Sequence, residues 1–174
     1  MRVETAECSG FCFGVKRAIS MAEQALDKNR AKGVYSLGQI IHNSQAVERF
    51  SGQGLRPIKD LSGIKEGVVV VSSHGAGPGV FEEIKKRGLE IVDATCPYVM
   101  SAQKIVKSLS DDGYTVIILG DRQHPEVKSL VGFAQDKAIV IENEADAANT
   151  RISSKKIGLV SQTTQSLENY LKVV

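Results

Sequence analysis

Short apolar runs, rich in β-branched residues, alternate along the chain with longer stretches in which apolar residues recur every third or fourth position. Val3–Ala6, Val34–Leu37, Val68–Ser72, Glu90–Ala94, Tyr114–Gly120, Ala138–Ile141 and Ile157–Val160 are bounded by Gly or charged residues and read as strands. In Gly14–Arg30, Val15, Ala18, Ile19, Ala22 and Leu26 share one helical face. Val99, Ala102, Ile105, Val106 and Leu109 do the same in Pro97–Asp111, where Pro97 suits a first turn. Asn43–Phe50 and Pro78–Arg87 read as shorter helices, and Glu126–Ala134 and Ser166–Val173 as further helical segments.

Strands alternating with helices predict an α/β fold of parallel sheets flanked by helices. The strands are continuously apolar rather than alternating, as burial on both faces requires. One β/α series ends and another begins near Cys96–Pro97, which divides the chain into units 1–96 and 97–174. No low-complexity linker separates them, so the units are expected to pack closely.

Composition narrows the classes. The 174 residues are 42% hydrophobic and 24% charged with a net charge of +2, which describes an ordinary globular protein. Lys and Arg are scattered, aromatics make up only 5% and Trp is absent, so neither a nucleic-acid groove nor a base-stacking platform is expected. No apolar run is long enough to cross a membrane, and no signal peptide is read at the start. Three cysteines, an odd number, suit a reducing cytoplasm and metal or redox chemistry better than structural disulfides.

The chemical residues fall in one kind of place. His42 (GQIIHN), His74 (VVVVSSHG) and His124 (VIILGDRQHP) all lie at or just after the C-terminal ends of the expected strands. Cys12, Cys96 and the Gln162-Thr163-Thr164 run do likewise. In α/β proteins ligands bind outside those strand ends, where helix N-termini also point. Six polar positions at six strand ends therefore suggest one shared pocket suited to phosphate or diphosphate, although turns also collect polar residues without any ligand. Glu126, beside His124, suits proton relay to a substrate, or simply the start of a helix. Cys8 and Cys12 are four apart, but a strand leading into a loop would not face both sulfurs together, so Cys8 is not expected to be a ligand. The turn Gly75-Ala76-Gly77-Pro78-Gly79 lacks either nucleotide-loop pattern, yet offers backbone N–H groups to an anion.

Together GFCFGVKRAI, SLGQIIHN, SSHGAGPGV, IVDATCPYV, HPEV and VSQTTQS, in this order, resemble the LytB family of 4-hydroxy-3-methylbut-2-enyl diphosphate reductases. The resemblance implies three similar α/β units around a central [4Fe-4S] cluster, of which this chain holds the first two. It implies reductive removal of the hydroxyl of an allylic diphosphate, the last step of the non-mevalonate isoprenoid pathway, giving isopentenyl and dimethylallyl diphosphate. By resemblance Cys12 and Cys96 match cluster ligands, and His42, His74 and His124 match residues around the diphosphate and the allylic hydroxyl. Glu126 matches the proton-delivering acid, assisted by His124 and Thr163; Thr163 stands beside the substrate hydroxyl, with Gln162 a further contact. A ferredoxin or flavodoxin is the implied electron donor.

The third cluster cysteine of the family, in a motif such as ICxAT, has no counterpart in these 174 residues, and Cys8 does not correspond to it. The chain alone is accordingly expected to be an incomplete and inactive portion, its N-terminal strand (residues 1–10) leaning on the third unit. The competing reading is a phosphate-binding α/β module with neither cluster nor catalysis. Structural zinc or redox thiols are a third, although two cysteines fall short of a four-ligand shell unless histidines join them.

Overall fold

The computed structural model describes every residue except Met1, Thr5, Cys8 and Arg30. Two parallel sheets follow one another along the chain. The first has the order β2-β1-β3-β4 and is built from β1 (Val34–Leu37), β2 (Leu55–Ile58), β3 (Val68–Val71) and β4 (Glu90–Asp93). The second has the order β6-β5-β7, from β5 (Thr115–Leu119), β6 (Ile139–Ile141) and β7 (Ile157–Ser161). The helices are α1 (Phe13–Lys28), α2 (Ser44–Gly52), α3 (Pro78–Lys86), α4 (Pro97–Asp111), α5 (Pro125–Phe133), α6 (Glu144–Asn149) and α7 (Leu167–Val173). The α/β architecture of parallel sheets flanked by helices is the one the sequence pattern predicts.

The central strands explain their own composition. Successive side chains of a strand point to opposite faces. Val68 and Val70 pack with Ala18, Ala22 and Phe50 of α1 and α2, while Val69 and Val71 pack with Ile84 of α3. All four valines are at most 1% exposed, each worth about 1.5–3 kcal/mol relative to exposure. In the second sheet Val116 and Ile118 meet Ala102 and Val106 of α4 and Val127 and Leu130 of α5. Ile117 and Leu119 cluster with Ile141 against the other layer, which includes Tyr170 and Val173 of α7.

Three elements differ from expectation. The described residues of 1–10 form no strand, and Val3, 76% exposed, has no burial to hold it in a sheet. The edge strand β2 carries Pro57 opposite Ser36; proline cannot donate to a ladder and so obscures a strand in the sequence. Helix α6 has no buried residue and hence no apolar stripe to announce it; Asn143 caps it by accepting the N–H of Asp146.

Prolines open α3, α4 and α5, each following a residue with extended backbone: Gly77, Cys96 and His124. Among the described residues no helix is long and apolar enough to cross a membrane.

Candidate functional site

The loops after β1, β3 and β5 bring the three histidines together. Their ring centroids lie 4.3 Å apart for His42–His74 and 5.2 Å apart for each of the other two pairs. Backbone bonds that continue past the strand ends hold these loops: Ser73 N–H donates to the Ile40 carbonyl, and Cys96 N–H to that of Ser73. The histidines line a cavity of about 260 Å³ with Cys12, Cys96, Glu126 and Thr163. The structure thus gathers seven of the eight sequence-identified residues in one place.

The eighth, Gln162, stands apart from this cavity. Its Oε1 accepts the Asp121 N–H at 3.1 Å and its Nε2 donates to the Thr164 hydroxyl at 2.9 Å. The side chain is spent on tying the loop after β7 to the loop after β5, and it does not line the cavity. Cys8 lies outside the described residues. Thr164, named in the sequence only as part of its run, also lines the cavity, as do Asn43 and Ser73, which were not singled out although each adjoins a residue that was. Asn43 accepts the Ala46 N–H as the cap of α2, a role its place before an apolar-periodic segment could have signalled.

Glu126 is 2% exposed. Its Oε1 accepts the Thr163 backbone N–H at 2.6 Å and its Oε2 the Thr163 hydroxyl at 2.8 Å. His124 caps α5, its Nδ1 accepting the Glu126 N–H at 3.1 Å. Burial, reinforced by His42 and His124, pushes the His74 pKa down to about 4. Burial also lowers that of His124; His42 adds to the effect, while the carboxylates of Glu126 and Asp121 oppose it. Both rings are therefore neutral at pH 7.

One nitrogen from each ring lies within 4.8 Å of those of the other two, a spacing that also suits a metal ion. His124 favours an anion instead. With Nδ1 engaged as an acceptor, the neutral ring carries its proton on Nε2, so its free edge offers a donor rather than a ligand lone pair.

The two described cysteines occupy equivalent positions. Cys12 is the N-cap of α1 and Cys96 that of α4, and neither side chain makes a cap hydrogen bond. A Cβ on Gly14 would lie 2.5 Å from Cys96 Sγ, so this glycine leaves the space in which the sulfur approaches the first turn of α1. Arg17 fixes the pair of elements from below by donating to the Thr95 carbonyl at 2.9 Å. Two thiols at helix starts, facing one cavity, are a donor set suited to a soft metal or cluster.

Parallel strands whose ends carry three histidines, next to a buried carboxylate–hydroxyl pair, place the chain in the class of α/β proteins with a polar pocket outside the strand ends. Comparison with known proteins gives this class a family: residues 3–174 match the model of the LytB protein family, and the chain belongs to it. It is 47% identical to the 4-hydroxy-3-methylbut-2-enyl diphosphate reductase of Geotalea uraniireducens (strain Rf4) and 45% identical to that of Geobacter sulfurreducens. Each alignment covers all of this chain and 61% of the relative, so the chain spans about three-fifths of the length of these relatives. Its fold is similar to that of a solved (E)-4-hydroxy-3-methyl-but-2-enyl diphosphate reductase, the terminal enzyme of the non-mevalonate pathway (TM-score 0.85, 42% identity, 97% of this chain and 60% of the other). The corresponding reductase from Plasmodium falciparum aligns with TM-score 0.89 and 30% identity over 96% of this chain and 53% of its own.

Proposed function

We propose that this chain supplies part of the active site of a reductase that removes the hydroxyl of 4-hydroxy-3-methylbut-2-enyl diphosphate to give isopentenyl and dimethylallyl diphosphate. The observation that carries this reading is the convergence of His42, His74 and His124 beside the Glu126–Thr163 pair. Imidazole N–H groups would bind the diphosphate, and in His124 the helix cap already directs the Nε2 edge outward as a donor.

Replacing the hydroxyl by hydrogen consumes two electrons and two protons. One proton leaves with the oxygen as water and the other ends on carbon. Glu126 and Thr163 are placed to move a proton: a protonated Glu126 would donate to Thr163 Oγ1 while the threonine hydroxyl donates to the departing oxygen. Gln162 would act by holding the loop that carries Thr163.

Cys12 and Cys96 fit an iron–sulfur cluster on the geometry of their caps and the space left at Gly14. They would supply two of the thiolates of a [4Fe-4S] cluster, whose contribution when bound is the electrons. A ferredoxin or flavodoxin is the matching class of donor, and the reducing cytoplasm the compartment that keeps such thiols available. We read residues 1–96 and 97–174 as two units of this active site, supported by the origin of each sheet from one side of Cys96–Pro97.

Anaerobic reconstitution with iron and sulfide tests this reading. Iron content and visible absorption are expected to depend on both Cys12 and Cys96. Cluster uptake that survives Cys12→Ser and Cys96→Ser would overturn the ligand assignment. Diphosphate binding with no cluster uptake would favour the phosphate-binding module.

A further inference from the structure

We propose that Gln103 and Ser129 are positioning residues for the histidine site, setting the distance between His74, carried by the first sheet, and His124, carried by the second. The inference rests on the reading of the histidines as an anion site and adds two residues outside the lining of the cavity shared by the histidines, Glu126 and Thr163; Ser129 borders the neighbouring cavity of about 760 Å³, which His42 and His74 also line.

Gln103 Nε2 donates to Ser129 Oγ at 2.8 Å, with the two residues 6% and 2% exposed. Gln103 lies on α4, the helix capped by Cys96, and Ser129 lies on α5, three residues beyond Glu126. The turn that follows His74 rests directly on this pair. Gly75 has φ +75°, and a Cβ there would stand 2.4 Å from Gln103 Nε2, 3.0 Å from Thr95 Cγ2 and 3.3 Å from Ser129 Oγ. Two residues further on, Gly77 meets Gly132 of α5, where a Cβ on Gly132 would lie 3.0 Å from the Gly77 Cα. At Gly75 and Gly77 the backbone after His74 is thus seated on α4 and α5 with no side chain as a spacer.

A buried hydrogen bond between neutral side chains adds little net stability, and an apolar pair of the same shape would stabilise the junction about as well. What the polar pair adds is direction. It fixes the rotation of α4 against α5, and with it the seat of the His74 turn relative to the helix that His124 caps. Binding a small anion among three donors depends on that spacing.

The test uses the full chain with Gln103→Leu, Ser129→Ala and the double variant. It reads thermal unfolding, the nuclear Overhauser effect between the His74 and His124 ring protons, and the affinity for inorganic diphosphate. Each single variant is expected to fold at 20 °C, to lose the ring–ring effect and to bind diphosphate at least about tenfold more weakly (about 1.4 kcal/mol). The double variant strands no polar atom, so its melting temperature is expected to recover, while the ring–ring effect and the affinity stay lost. Recovery of all three properties in the double variant, or folded single variants that keep both the ring–ring effect and wild-type affinity, would reduce the pair to packing and overturn the proposal. Should Gln103→Leu fail to fold, Ser129→Ala, the smaller change, decides. A wild-type chain that binds no diphosphate would refute the anion site alone, and the ring–ring effect would still settle whether the pair sets the spacing.

Discussion

Glu126 and Thr163 are joined twice, one carboxylate oxygen taking the threonine's backbone N–H and the other its hydroxyl. The double bond ties α5 to the loop after β7 and leaves the carboxyl group no freedom to turn. In Glu126→Gln one oxygen becomes an NH2 group, and one of the two Thr163 hydrogens faces a donor. In a chain completed with the third unit, turnover is expected to fall by about 10²–10⁴-fold and stability by about 1–3 kcal/mol, with cluster absorption unchanged. Near-normal turnover in this variant would remove Glu126 from proton delivery.

Gly14→Ala separates helix formation from cluster binding. Alanine favours a helix by about 1 kcal/mol over glycine, but its Cβ would sit 2.5 Å from Cys96 Sγ. The variant is expected to keep its circular dichroism spectrum and lose most of its iron after reconstitution. Full iron content would show that the sulfur can be displaced without harm.

Cys12→Ser and Cys96→Ser are both expected to abolish cluster absorption. Cys8→Ser is expected to leave it unchanged, an expectation that stands on the sequence alone. Iron analysis of the three proteins side by side distinguishes them, and loss of iron on changing Cys8 would assign that residue a role.

Acid should destabilise the fold through the histidines. His74 titrates near 4 when folded, below the usual histidine value of about 6.5, so on acidification the unfolded chain takes up its proton first. The stability that neutral His74 contributes is complete above about pH 6.5, declines as the pH falls towards 4 and is gone below that. His124 acts in the same direction. Melting temperatures between pH 7.5 and 4 should therefore fall less steeply in His74→Asn than in the unchanged protein. Diphosphate placed among the rings favours their charged forms, so calorimetry near pH 6 in buffers of different ionisation enthalpy is expected to show proton uptake on binding.

How much of this was legible in the sequence follows from how each feature is encoded. The four valines of β3 announce a strand covered on both faces, and the sheet supplies both covers. The histidines stood out because each ends an apolar run. Pro57 concealed β2, and the short polar α6 had no periodicity to detect. Within the site, Gln162 was placed by its motif, but only the structure shows its amide turned to Asp121 and Thr164. Gln103 sits among charged and small residues on α4, where a glutamine reads as surface, and its burial depends on packing between α4 and α5 that no local pattern records.

The prolines that open α4 and α5 act before any of this packing exists. A residue that precedes proline is kept out of the helical region even in a disordered chain, and the folded backbone of Cys96 (φ −59°, ψ 135°) and His124 (φ −65°, ψ 136°) lies in the extended region to which it is steered. Two site residues thus hold close to their working backbone geometry in the nascent polypeptide, and ordering them at the end of folding forfeits less entropy than it would elsewhere. Replacing Pro97 or Pro125 by alanine would accordingly act mainly by enlarging the unfolded ensemble, while the folded pocket keeps its shape.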